Sequence, residues 1–159
     1  NEIIGFANAG GYVMGICNGF QILTESGLLP GAILHNTSHK FICKNIYLKT
    51  INRNTLVTSS YSNSTVKIPI AHAEGKYFAD ESTLKSLIEN EQILFKYCDK
   101  NGEITDSSNP NGSVLNIAGI CNKERNVFGM MPHPERAADK ELSNQDGRVL
   151  FESILESTL

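Results

Sequence analysis

The stretch Tyr12-Val13-Met14-Gly15-Ile16-Cys17-Asn18-Gly19-Phe20-Gln21 limits what this chain can fold into more than any other. A short apolar run follows the turn pair Gly10-Gly11, and the residues after Cys17 suit an amphipathic helix that ends by Gly27. The spacing predicts a strand, a sharp turn and a helix, with a thiol at the turn. Gly-x-Cys-x-Gly is the thiol counterpart of the Gly-x-Ser-x-Gly nucleophile elbow, whose strained backbone leaves no room for side chains two positions to either side. A helix N-terminus beside the sulfur is expected to favour thiolate over thiol. A buried packing cysteine between small residues is the competing reading of the same letters. The flanking strand and helix tell against it.

A second constellation lies far downstream, in Met131-Pro132-His133-Pro134-Glu135-Arg136 after another predicted strand. Pro134 biases His133 toward an extended backbone, and residues two apart in an extended chain face one side. An imidazole and a carboxylate held together in this way are what a general base and its orienting group require. A proline-rich surface turn with solvated His and Glu is the alternative for these four letters alone. The cysteine elbow in the same chain favours a Cys17–His133–Glu135 triad.

The bulk properties narrow the partners. With 159 residues, 40% hydrophobic and 19% charged, the chain can bury one core, and disorder is excluded. The net charge of −3 and the lack of a basic stripe argue against nucleic acid. No apolar run reaches the ~20 residues of a membrane-spanning helix. Cys17, Cys43, Cys98 and Cys121 show no Cys-x-x-Cys spacing, so neither a metal site nor a redox pair is expected, and free thiols in a reducing cytoplasm are.

Along the chain, residues 2–9 read as the end of a helix stopped by Gly10-Gly11, and a domain starting there leads us to expect that upstream strands are absent. Strands are predicted over 41–51, 55–60 and 66–72, an antiparallel excursion without intervening helices. A helix is predicted over 80–89, a strand over 93–98 and a loop over 99–112. A hairpin follows over 114–121 and 127–131, then a closing helix over 148–155. The expected fold is α/β: an open, mostly parallel sheet of flavodoxin-like type with the elbow strand central.

The elbow and the Pro-His-Pro-Glu-Arg segment together resemble the class I, or triad, glutamine amidotransferases. Further segments are similar to their glutaminase subunits in the phosphoribosylformylglycinamidine synthases. These are Leu28-Leu29-Pro30-Gly31-Ala32, Lys40-Phe41, Pro69 to Tyr77 and Asn109-Pro110-Asn111-Gly112-Ser113. The resemblance spans all 159 residues, read as the C-terminal portion of one amidotransferase domain. It implies that Cys17 is the nucleophile, His133 the acid/base and Glu135 its orienter. It implies oxyanion donors at Asn18 and Gly15, and substrate contacts from Gln21 and from the segment His72-Ala73-Glu74, where Ala73 stands in place of the family's usual glycine. Glutamine would be the substrate, and its ammonia would pass to a larger synthetase subunit, with a small third subunit in the complex. ATP and magnesium would bind that synthetase, since no phosphate-cradling loop appears here. A glutaminase serving another acceptor, as in the GMP, CTP or anthranilate synthases, and a non-catalytic binding domain remain the alternatives.

Overall fold

The structure, a computed structural model, describes residues 1–62, 65–142 and 144–158. In chain order the elements are α1 (Glu2–Asn8), β1 (Val13–Ile16), α2 (Asn18–Glu25), β2 (Ala32–His35), β3 (Ile42–Thr50), β4 (Thr65–His72), β5 (Glu74–Phe78), α3 (Glu81–Glu89), β6 (Ile93–Cys98), β7 (Ile117–Cys121), β8 (Val127–Met130) and α4 (Arg148–Thr158). Six strands form one sheet in the order β1-β8-β7-β6-β3-β4, and β2 pairs with β5 in a small separate ribbon. Two hydrophobic clusters sandwich the large sheet. One gathers Phe20, Leu23, Leu29, Tyr77 and Leu87 from α2, β5 and α3, and the other gathers Val57, Tyr61 and Leu150 against β3, β4 and β6. The α/β class is therefore as expected, and the antiparallel excursion is the β3–β4 pair.

Two features of the sheet differ from the sequence reading. Within the described residues the sheet is mixed: β1 and β8 are parallel, while β8–β7, β7–β6, β6–β3 and β3–β4 are antiparallel. Among the described residues β1 is an end strand of this sheet, paired with β8. Residues 55–60 are turns, not a strand: the Thr58 and Ser59 N–H groups both donate to Thr55 O, and Thr55 and Thr58 hydroxyls bond each other at 2.6 Å. Hydroxyls that bond nearby backbone and one another compete with a ladder.

Two glycines decide how α2 sits. Gly15 on β1 faces Gly129 on β8. A Cβ on Gly129 would lie 2.3 Å from the Phe20 ring, so the bare backbone there is what lets α2 pack directly on the sheet. Asn126 fixes the approach to β1, its amide donating to Ala7 O at 2.8 Å and to Gly11 O at 2.9 Å. Helix α3 starts at Asp80, whose carboxylate accepts from the Thr83 N–H at 2.7 Å.

Candidate active site

Cys17 ends β1 and caps α2, with φ at +53° and ψ at −109°. A non-glycine residue with this backbone is strained, and such strain persists only where its surroundings impose it. Here the surroundings are the last ladder bond, Cys17 N–H to Met130 O at 2.8 Å, and the first helical bonds, from Phe20 N–H and Gln21 N–H back to Cys17 O. The result is a thiol lifted off the end of a strand with the Asn18 N–H facing it, which draws its pKa down. Burial nevertheless wins: it pushes the thiol above its ordinary value, and Glu135 pushes the same way, against Asn18 and the Arg136 guanidinium. That direction is opposite to the one expected from the helix N-terminus alone. The thiol donates to Ala71 O in a long 3.9 Å contact.

The candidate base, His133, is anchored on the neighbouring outward carbonyl of the same strand. β4 is the edge of the sheet opposite β1, and its outward-facing groups alternate. Lys67 meets Asn144 and Asp146, Pro69 O accepts the His133 N–H at 2.8 Å, and Ala71 O accepts the Cys17 thiol. The strand carries a proline where the N–H would point off the edge, which costs the ladder nothing. Pro69 and Ala71 are two residues apart, about 7 Å along a strand. The sheet thus curls until its two ends approach, and β4 anchors both the Cys17 thiol and the His133 backbone.

His133 is buried, at 8% exposure. Its Nδ1 lies 2.6 Å from Glu135 Oε1, and a carboxylate can only accept, so Nδ1 carries a proton. Nε2 is buried and has no hydrogen-bond partner among the described residues. Arg136 pairs with the same carboxylate at 3.6 Å. The sequence reading placed Glu135 through an extended backbone. The structure instead starts a 3-10 turn at Pro134, running to Ala137, and from within that turn Glu135 Oε1 still reaches His133 Nδ1. The turn is pinned from outside by Gly147 at the start of α4, where a Cβ would lie 2.2 Å from Pro134 O.

The remaining expected residues divide. Gln21, one helical turn past the thiol, donates to Glu74 Oε2 at 3.2 Å, so these two come together at the site. Gly15 does not serve as an oxyanion donor. The N–H groups of Val13 and Cys17 both point to β8, and Gly15, between them on a strand of period two, points the same way. Ala73 sits at the bend between β4 and β5 without a positive φ, so alanine fits where the family's glycine was expected, and its carbonyl accepts the Asn36 N–H at 2.9 Å. His72 is buried, its ring lying against Gly75, where a Cβ would come within 2.2 Å of it.

Asn36, which no local signal marks, holds His72. Its amide nitrogen donates to Lys40 O and His72 O, each at 2.8 Å, which leaves Oδ1 to accept from His72 Nδ1 at 3.0 Å. Asn111 likewise braces the next turn of chain, donating to Gly75 O at 2.7 Å and to Tyr97 Oη at 3.2 Å. Burial, with a smaller push from nearby His133, lowers the His72 pKa from 6.5 to about 4. The unfolded chain therefore binds a proton here that the fold refuses, and stability falls as pH drops from about 6.5 toward 4, then levels. The loss over that range amounts to about 3 kcal/mol. Urea unfolding between pH 7 and 4.5 should show His72→Gln losing less stability across that window than the parent. Parallel profiles would refute the assignment.

A cavity of about 690 Å³, lined by Ile51, Arg53, Leu87, Ile88 and Lys96 among others, lies elsewhere, and neither Cys17 nor His133 lines it. Among the described residues no cluster of side chains suits a metal ion, and no helix is long and apolar enough to cross a membrane. A strained cysteine, a helix N–H and a carboxylate-held imidazole are the kinds of group that acyl transfer through a thiol uses.

The CobB/CobQ-like glutamine amidotransferase domain matches residues 1–150. The chain belongs to the glutamine amidotransferases. Within that family it is 55% identical over 154 residues to the phosphoribosylformylglycinamidine synthase subunit PurQ of Acaryochloris marina, covering 96% of this chain and 66% of that one. It is 54% identical to the PurQ subunit of Aquifex aeolicus, covering 96% and 68%. The solved structure of PurLQS from Thermotoga maritima superposes with a TM-score of 0.84 at 41% identity, covering 99% of this chain and 67% of that one. A GMP-synthase-type protein of Thermoplasma acidophilum shares the fold, with a TM-score of 0.57 at 12% identity, covering 91% of this chain and 56% of that one. The chain thus spans about two thirds of the length of its PurQ relatives.

Proposed function

We propose that this chain carries the glutaminase step of a phosphoribosylformylglycinamidine synthase. The observation that supports it is a strained Cys17 in one chain with a His133 whose Nδ1 is held by Glu135, the thiol and the His133 N–H being anchored on adjacent outward carbonyls of β4. The 55% identity to a PurQ subunit supports this reading.

In this reading the Cys17 thiol gives its proton to His133 Nε2 as the sulfur bonds to the side-chain amide carbon of glutamine. The oxyanion forms beside the Asn18 N–H. The C–N bond then breaks, His133 protonates the departing nitrogen, and ammonia leaves a glutamyl thioester. Water, deprotonated by the same imidazole, attacks the thioester. Glutamate departs and the thiol is restored. Because burial raises the thiol's pKa, attack is coupled to His133 rather than to a preformed thiolate. Gln21 and the segment His72-Ala73-Glu74 border the substrate. The ammonia passes to a larger synthetase subunit, where ATP and magnesium bind, and a small third subunit completes a cytoplasmic complex.

The test is site-selective alkylation by a glutamine-like diazoketone, applied to the full-length protein with its synthetase partner. Cys43 is exposed, whereas burial pushes the Cys98 and Cys121 thiols to about 11. Labelling governed by exposure would fall on Cys43. Labelling governed by the site falls on Cys17 alone, and that is the result we expect. A label spread over Cys43 and Cys17 alike would overturn the assignment.

A further inference from the structure

The cavity of about 690 Å³ opens far from Cys17 and His133, and β3 sets the separation. Asn45 on that strand pairs with Pro69, whose carbonyl holds the His133 N–H. Six residues later Ile51 lines the cavity. At about 3.3 Å per residue the two places lie about 20 Å apart along the strand. Small-molecule sites commonly enclose about 300–1,000 Å³, and this space is within that range.

Its lining divides by chemistry. Leu87 is buried and gives an apolar wall, while Ile51 and Ile88 are exposed beside it. Lys96 of β6 and Arg53, just past β3, bring two cations. Among the described residues neither side chain has an ion-pair or hydrogen-bond partner. The acid on the lining, Glu91, is already engaged, its carboxylate pairing with Arg125 at 3.3 Å.

The strand register adds a third positive charge. Lys49 on β3 stands directly opposite Lys96 on β6, so both side chains leave the same face of the sheet. Lys49 likewise has no acidic partner among the described residues. Like charges placed opposite each other destabilise a sheet. Lys96 is also half-buried, and burial pushes its pKa below the usual lysine value. An anion seated against Lys96 offsets both costs, since an opposite charge favours the charged form of the amine. Three unpaired cations gathered in a chain of net charge −3 are a local arrangement, not a consequence of composition.

We propose that this cavity binds an organic phosphate monoester, its phosphate held by Lys96 and Arg53 and its apolar body lying against Leu87, Ile51 and Ile88. A phosphate monoester carries close to two negative charges at neutral pH, which suits a site with more than one unpaired cation, where a carboxylate would neutralise one. Lys49 adds to the attraction from the sheet beside it. Side-chain charge holds the phosphate, so no glycine-rich cradle is required. The proposal is independent of the glutaminase reading.

The experiment titrates the full-length chain with naphthyl phosphate by calorimetry, beside inorganic phosphate and naphthol, which are the two halves of that probe. The ester should bind at least about 10-fold more tightly than either half. Lys96→Met keeps the stem of the side chain and loses the charge, and Arg53→Gln alters an exposed residue, so that the fold is retained in at least the second. Each should weaken the ester about 10- to 100-fold, the usual contribution of a bond to a charged group. Lys140→Met, outside the lining, should leave it unchanged. Ile88→Ser should weaken the ester several-fold and leave inorganic phosphate as it was. The proposal is overturned by an ester that does not bind at millimolar concentration, by either half binding as tightly as the whole, or by Arg53→Gln losing no more than Lys140→Met.

Discussion

Cys17→Ala should abolish glutamine-dependent synthesis by the assembled complex while leaving ammonia-dependent synthesis intact. The sulfur supplies the covalent route through which the amide C–N bond is cut. Alanine leaves only the Asn18 N–H, the imidazole and the pocket, and a site reduced to binding and an oxyanion donor keeps a small remnant of its rate. Loss of glutamate release by a factor of about 10⁴ to 10⁶ is expected from nucleophile removal in triads of other folds. The synthetase chemistry lies on a different subunit in this reading, so added ammonium salt should restore product formation. The structure supplies a second reason to expect clean separation. Cys17 is half-buried, its thiol in one long hydrogen bond to Ala71 O and its side chain against the cluster around Phe20 and Leu23, so alanine, which keeps the Cβ, removes only the sulfur's share of packing. Glutamine- and ammonium-driven rates measured side by side decide the matter. Equal glutamine-driven rates in parent and variant would overturn the amidotransferase mechanism, and loss of both activities would make Cys17 a residue of assembly.

The parts of the site legible in the sequence are those whose geometry is local. Gly-x-Cys-x-Gly between a strand and a helix gave the elbow because its strain is set by five consecutive residues, and φ at +53° on Cys17 is that strain. His133 and Glu135, two apart, met because a proline between them left few backbone choices. What depends on distant chain stayed hidden. The thiol's pKa turns on burial by the surrounding fold as well as on the helix behind it, and burial is the larger effect. The direction of the Gly15 N–H depends on which side β8 lies. Asn36 holds the His72 ring from 36 residues away, and no letter near either one says so. β2 and β5 were missed for a related reason. They are four and five residues long and rich in turn-like neighbours, and they are strands only because each supplies the other's ladder.

The two glycines of the elbow, equivalent in the motif, should behave differently when replaced. A Cβ on Gly15 would lie 2.5 Å from both the carbonyl carbon and the oxygen of Gly19, and 2.6 Å from Leu23 Cδ1. The nearest of these are backbone atoms in the first turn of α2, so relief requires moving the helix off the strand, not turning a side chain. That same helix carries Phe20 and Leu23 into the core at 0% and 3% exposure, and displacing it opens the packing over Gly129 as well. Overpacking a core costs about 1–3 kcal/mol even where side chains can yield. Against backbone we expect Gly15→Ala at or above the top of that range, a fall in Tm of roughly 10 °C for a chain of this size. The same shift would carry the Asn18 N–H away from the sulfur, so activity should be lost in whatever protein still folds. A Cβ on Gly19 meets nothing within 4 Å, and its backbone is helical rather than left-handed. Gly19→Ala should therefore hold the Tm or raise it by a degree or two, since alanine is the better helix former by about 1 kcal/mol. Thermal unfolding of the two variants beside the parent is sufficient to check this. Equal losses in both would mean that the motif's glycines serve backbone freedom alone, and that the close approach of α2 to β1 does not set the elbow.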